Sequence, residues 1–170
     1  VDTTLAASRL MDRALAIGHD ATNSQPYTVR YMLEHLDAQP GHKVLDVGSG
    51  SGWTTALLAY LVGESGTVIG VDVVPELVEM GRQHMDERFP WARFELAEDG
   101  VLGLPGEAPF DRILVSADGG RIPAELEEQL APGGRMVLPA AQRITIVQKE
   151  SDGRLTRSAA AGMFSFVPLR

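Results

Sequence analysis

The sequence predicts an α/β fold: a doubly wound, mostly parallel seven-stranded sheet with helices on both faces and an antiparallel hairpin at its C-terminal end. Three observations carry this. Short strand-like runs alternate with helical ones from residue 28 onward. A G-x-G-x-G turn joins the first of those strands to the helix after it. Asp152-Gly153, a turn dipeptide, lies between the last two strand-like runs.

Residues 1 to 20 carry a weak pattern. Leu5, Arg9, Leu10 and Met11 suggest a short helix, and Ile17-Gly18-His19-Asp20 reads as a loop. At Thr28 the pattern sharpens: Val29, Met32, Leu33 and Leu36 recur at helical spacing. Pro26 suits the first turn, Ser24 or Gln25 the cap, and Gln39-Pro40-Gly41 the stop. Then follow a strand at Lys43 to Val47, a helix at Thr54 to Val62, a strand at Thr67 to Val71, a helix at Pro75 to Met85 and a strand at Arg93 to Leu96. Arg112 to Val115 is a further strand, Pro123 to Leu130 a helix stopped by Pro132-Gly133-Gly134, and Arg135 to Leu138 a strand. Arg143 to Gln148 and Ser158 to Val167 form the closing antiparallel pair. Parallel strands need crossover connections, and the crossing helices cover both faces of the sheet.

A chain of 170 residues with 44% hydrophobic and 22% charged residues fits one globular domain, residues 1–170, with 1–20 as a short N-terminal extension. The absence of cysteine rules out a disulfide scaffold, a cysteine zinc site and a thiol nucleophile. It fits a reducing compartment, so we expect a cytoplasmic protein, and the first residues do not resemble a secretion signal. Fifteen basic against 23 acidic residues give a formal charge of −8 and a pI near 4.9. That balance opposes duplex nucleic acid and anionic membrane surfaces as partners. His19, His35, His42 and His84 show no metal-ligand spacing, so no metal site is expected; His19 is placed to touch a ligand. Met80 and Met85 read as core or helix-face residues, Trp53 as a packing residue, and Glu125-Leu126-Glu127-Glu128 as a solvated face.

The glycine turn is the most informative segment: Val44-Leu45-Asp46-Val47-Gly48-Ser49-Gly50-Ser51-Gly52. Gly48, Gly50 and Gly52 let the backbone turn sharply and approach a ligand, and the next helix offers unpaired N–H groups. The spacing is not the G-x-G-x-x-G of dinucleotide sites, and Asp46 sits two residues before the first glycine. A carboxylate there repels a pyrophosphate and suits a cationic amino group. Asp72 ends the second strand, where a carboxylate can accept from both ribose hydroxyls, and Asp99-Gly100 follows the third, beside the place of an adenine amine. The pattern points to a nucleoside carrying an amino acid or sulfonium part.

The chain resembles the class I S-adenosylmethionine-dependent methyltransferases, and within them the protein-L-isoaspartate O-methyltransferases. Leu15 to Tyr27 is similar to that family's P-L-P-I-G-x-G-Q-T-I-S-Q-P segment. Glu98-Asp99-Gly100-x-x-Gly103, Ala108-Pro109-Phe110-Asp111, Gln129 to Arg135 and Phe166-Val167-Pro168-Leu169 match further segments in the family's order, so the resemblance spans about residues 12 to 169. It implies a Rossmann-like fold, S-adenosyl-L-methionine as cofactor with S-adenosyl-L-homocysteine as product, and methylation of the α-carboxylate of an L-isoaspartyl residue in a damaged protein or peptide. Carried over, it makes Ser24 the active-site hydroxyl with Thr22 beside it. Ser49 and the glycine turn then hold the methionine part, Asp72 with Val73 the ribose, and Asp99 with Gly100 the adenine. An isoaspartyl carboxylate is already ionised at neutral pH, so no strong general base is required. A monomer is expected.

Some positions depart from the family pattern. Roughly a dozen residues precede the matching segment where some tens are usual, and this shortened N-terminal region leads us to expect an open or differently shaped cleft. Asp20-Ala21 stands where Gly-Gln is common, and Asn23 replaces an apolar residue. In Ser116-Ala117-Asp118-Gly119-Gly120 a carboxylate enters a stretch that is mostly small and apolar. Asp118 either faces the site, where it repels an anionic substrate, or caps the helix at Pro123; the second reading is preferred. Two other functions fit the same residues: a related methyltransferase acting on another carboxylate, and a cofactor-binding module without catalysis.

Overall fold

The computed structural model describes residues 15–23, 25–85 and 87–170, so the weak helix around Leu5 to Met11 lies outside them. A hairpin of β1 (Leu15–Gly18) and β2 (Ala21–Asn23) precedes helix α1 (Pro26–Leu36). Then come β3 (Lys43–Val47), α2 (Trp53–Val62), β4 (Thr67–Asp72), α3 (Pro75–Met85) and β5 (Ala92–Leu96). After a short 3-10 turn at Pro105–Glu107 follow β6 (Phe110–Val115), α4 (Ala124–Glu128), β7 (Leu130–Ala140), β8 (Arg143–Lys149) and β9 (Leu155–Ala159).

The seven strands β3 to β9 form one sheet in the order β5-β4-β3-β6-β7-β8-β9. The first five are parallel, and β8 and β9 are antiparallel additions. Alternation along β3 divides the core. Val44 and its neighbours Val68 and Leu114 pack with Met32 and Leu36 of α1 and Leu58 and Val62 of α2. Leu45 and Val47 face the other side, with Ile69, Ile113 and Leu126 of α4. Each fully buried leucine or isoleucine contributes about 1.5–3 kcal/mol relative to exposure. Helix α3 buries Val78 and Met85 against Phe94 of β5. Among the described residues no helix is long and apolar enough to cross a membrane.

The observed helices and strands depart from the expected ones in four places. Ile17-Gly18-His19-Asp20 is not a loop: Ile17 and Gly18 end β1, and His19-Asp20 is the two-residue turn of the β1–β2 hairpin, both left-handed at φ 54° and 57° as a type I′ turn demands. The cap of α1 is Gln25, one of the two residues expected there, and it makes no side-chain capping bond. The helix expected to run to Leu130 stops at Glu128, because Phe110 N–H takes the Gln129 carbonyl at 2.8 Å and draws the chain into β7 through Pro132-Gly133-Gly134, where the β6–β7 register slips. Glu127 is not on a solvated face: it is 6% exposed, and Arg157 grips both its oxygens at 2.6 and 2.8 Å. The last strand is Leu155–Ala159 rather than Ser158 to Val167. The tight turn at Glu150 to Arg154 fixes the pairing early, which frees the aromatic run at Phe164 to fold back on Tyr31 of α1.

Candidate active site

Strand order reverses at β3, which lies between β4 and β6. A crevice opens beyond the carboxyl ends of strands at such a point. Here it is a cavity walled by Val47 and Gly48 at the end of β3, Val71 to Val74 at the end of β4, Ala97 after β5, and Ser116 and Ala117 after β6. The β1–β2 turn closes one side with His19 and Asp20, and the tail Val167 to Arg170 closes another. A second cavity of about 440 Å³ adjoins it and shares Val73, Ala97, Val101, Leu102, Leu169 and Arg170. On the far side, Ser116 and Val167 also line a groove with Gln25, Tyr27, Thr28 and Phe166.

The glycine turn has left-handed φ at Gly48 (78°), Gly50 (53°) and Gly52 (88°). It is pinned from β4: the N–H groups of Gly48 and Ser49 both donate to the Val71 carbonyl, at 2.9 and 3.1 Å. Asp72, 9% exposed, accepts the Gly50 N–H on Oδ2 and the Val74 N–H on Oδ1, each at 3.0 Å. One carboxylate thereby fixes the turn and presents its remaining lone pairs to the cavity it lines.

Behind the turn, Asp46 is wholly buried between sheet and α2. Its Oδ2 accepts from the hydroxyls of Thr54 and Thr55, both at 2.7 Å, while its Oδ1 has no partner. Burial raises its pKa to about 6, opposed by the two threonine hydrogen bonds and reinforced by the Asp72 charge. Ser49 is 4% exposed, and its Oγ also lacks a partner. Its side chain lies over Gly70, where an added Cβ would come within 2.9 Å of the Ser49 Cβ.

Of the nine expected cofactor residues, Gly48, Gly50, Asp72 and Val73 line the first cavity, and Asp99 and Gly100 line the second. Asp46, Ser49 and Gly52 line neither. Gly52 caps α2 and lies against α3 and β5, where an added Cβ would meet Gly81 Cα and Phe94 Cζ at 3.0 Å. Of the expected catalytic residues, Ser24 lies outside the described residues, and Thr22 is described by its backbone in β2 alone. His19 lines the first cavity as expected. Sequence reasoning missed Ser116, Ala117 and Leu96 as wall residues; their position at the carboxyl ends of β6 and β5 is the signal that would have found them. Asp118 does not cap α4, whose N-cap is Pro123. It instead accepts N–H groups from Gly120, Ala141 and Gln142.

These features fit an adenosyl amino acid: a ribose-height carboxylate, a glycine cradle, and apolar Val73 and Leu96 left 45% and 47% exposed at the cavity rim. The whole chain, residues 1–170, matches the model of the family described as protein-L-isoaspartate(D-aspartate) O-methyltransferase (PCMT). The chain belongs to this family. It is therefore an S-adenosylmethionine-dependent methyltransferase with a Rossmann-like sheet. It is 44% identical to the protein-L-isoaspartate O-methyltransferase of Methanopyrus kandleri, over 94% of this chain and 72% of that one. With that of Anaeromyxobacter dehalogenans it shares 45% identity over 99% and 82% of the two chains, and with that of Aeropyrum pernix 47% over 93% and 62%. A solved structure from Plasmodium falciparum, described as a putative enzyme of this name in complex with S-adenosyl-L-homocysteine, shares the fold. Its TM-score is 0.80 at 24% identity, covering 94% of this chain and 81% of that one.

Proposed function

We propose that this PCMT-family chain methylates the α-carboxylate of L-isoaspartyl residues in damaged proteins or peptides, acting as a cytoplasmic monomer. The observation that carries the reading is a shared wall: Ser116 and Val167 separate a cofactor cavity containing Asp72 from the groove that begins at Gln25. A donor in one and an acceptor in the other meet across that wall.

The residues divide the work. Asp72 accepts from the ribose hydroxyls with the lone pairs its backbone partners leave free. Val73 and Leu96 supply apolar surface for the adenine, and Asp99 with Gly100 takes its exocyclic amine. Gly48 and Gly50 admit the methionine end close to the backbone. Asp46 and Ser49 stand behind them with buried, unpartnered oxygens that take a bridging donor from that end. When bound, the sulfonium offers a methyl that a carboxylate oxygen takes as the C–S electron pair returns to sulfur, leaving the methyl ester and the thioether. Ser24, next to the groove residue Gln25, holds the other carboxylate oxygen by its hydroxyl, with Thr22 close in sequence. The rate then comes from alignment and from excluding water, since the nucleophile needs no deprotonation.

The test is methyl transfer from labelled S-adenosyl-L-methionine to an isoaspartyl peptide and to its aspartyl twin. Base-labile incorporation into the first alone is the expected result. Tight binding of S-adenosyl-L-homocysteine with no incorporation into either would sink the substrate assignment and leave the cofactor site standing.

A further inference from the structure

Asp118 stands where three segments cross. Its Oδ1 accepts the N–H of Gly120 at 2.7 Å and of Ala141 at 3.2 Å, and its Oδ2 that of Gln142 at 2.8 Å. Its backbone N–H donates to the Val167 carbonyl at 2.8 Å, and its carbonyl accepts from Leu169 at 2.9 Å. The β7–β8 turn is thus bound by the carboxylate and the tail by the main chain of the same residue. The ring closes on the other side, because Phe164 N–H donates to the Gln142 carbonyl at 2.8 Å.

That turn needs an outside partner. Ala141 and Gln142 take φ of 49° and 64°, left-handed values that favour glycine and asparagine, and neither position has one. A carboxylate that accepts both of their N–H groups offsets the strain. The tail, in turn, is the partition of the site. Val167 to Arg170 wall the cofactor cavity, and Phe166 and Val167 wall the groove.

We propose that Asp118 is a positioning residue for methyl transfer: by locking the Ala141-Gln142 turn to the tail, its carboxylate sets the partition between the cofactor cavity and the acceptor groove. The proposal rests on the function argued above, and Asp118 lines neither the cofactor cavity nor the acceptor groove. It also gives a use to the one acid in the Ser116 to Gly120 stretch. Three N–H donors converge on this side chain, and an amide in its place offers one oxygen to them.

The experiment compares the full chain with Asp118→Asn, Asp118→Ala and the double variant Asp118→Asn with Gln142→Gly. Calorimetry with S-adenosyl-L-homocysteine, steady-state methylation of an isoaspartyl peptide, and backbone amide exchange are measured on each. In the two single variants the Kd for S-adenosyl-L-homocysteine rises by about tenfold, the scale of one lost charge-assisted hydrogen bond. The kcat falls with it, and exchange quickens at Gln142, Phe164 and Leu169 while β3 and β4 keep their protection. Adding Gln142→Gly recovers affinity, because glycine holds the turn unaided. Exchange that quickens uniformly, or Kd and kcat left unchanged in both single variants, overturns the proposal. Absence of methylation by the parent chain overturns the substrate reading alone, and affinity, exchange and rescue still decide on Asp118.

Discussion

The Oδ2 of Asp46 and the Oγ1 of Thr55 lie 2.7 Å apart, joining the end of β3 to the first turn of α2 beneath the glycine turn. The hydroxyls of Thr55 and Thr54 compensate one oxygen of a carboxylate that has no contact with solvent. The other oxygen carries the cost of burial, and the pH response of the fold reports it.

Asp46 holds its proton to about pH 6, against an ordinary value of 3.8, chiefly because it is buried. The folded chain therefore binds this proton more tightly than the unfolded chain. The stabilisation is fully present below about pH 4 and is lost as pH rises through about 6. Asp46→Asn removes that dependence. Its stability relative to the parent chain, measured by urea unfolding, improves between pH 4 and pH 7 by on the order of 2–3 kcal/mol. A difference that stays flat across that range contradicts the assignment.

Gly52 and Gly81 allow α2 and α3 to meet over Phe94. Gly52→Ala places a Cβ 3.0 Å from both Gly81 and Phe94, at a φ of 88° that side chains resist. Gly81→Ala brings its Cβ to 2.7 Å from the Phe94 ring. Each destabilises by about 1–3 kcal/mol in chemical denaturation. Phe94→Leu combined with Gly81→Ala recovers part of the loss by clearing the ring edge.

Asp72→Ala removes the acceptor for Gly50 and Val74 N–H and the proposed ribose anchor together. The Kd for S-adenosyl-L-homocysteine rises by about 10- to 100-fold in calorimetry. A Kd within twofold of the parent chain would place the ribose elsewhere.

Ser24→Ala lowers kcat for the isoaspartyl peptide by about tenfold or more, with S-adenosyl-L-homocysteine affinity unchanged. Turnover left unchanged in the variant would show the role proposed for Ser24 to be wrong, since the cap position of α1 belongs to Gln25.

The elements that sequence made legible are those whose signal is local. Pro75–Met85 and Lys43–Val47 were readable to the residue, because a proline sets the first turn of the helix and Val44, Leu45 and Val47, between a helix stop and a glycine turn, mark a strand covered on both faces. The failures lie where a distant partner decides. Glu127 of α4 looks solvated until Arg157, on the distant strand β9, is placed beside it. Leu130 enters a strand rather than ending a helix because Phe110 pairs with it. The role of Asp118 depends on Gln142, 24 positions later, and no period or motif joins them. In the site, spacing led to Gly48, Gly50 and Asp72, which line the cavity, but it did not show that Gly52, Ser49 and Asp46 lie outside the cavity wall.

The position of β3 has a consequence for how the protein is made. This strand carries the glycine turn, yet its two neighbours arrive at very different times, β4 soon after it and β6 only after two further crossings. During synthesis it waits with one edge unpaired until Phe110–Val115 has left the ribosome. A nascent chain halted before that point exposes the backbone of its own binding centre, so the interval between those two segments is where chaperones have the most to protect.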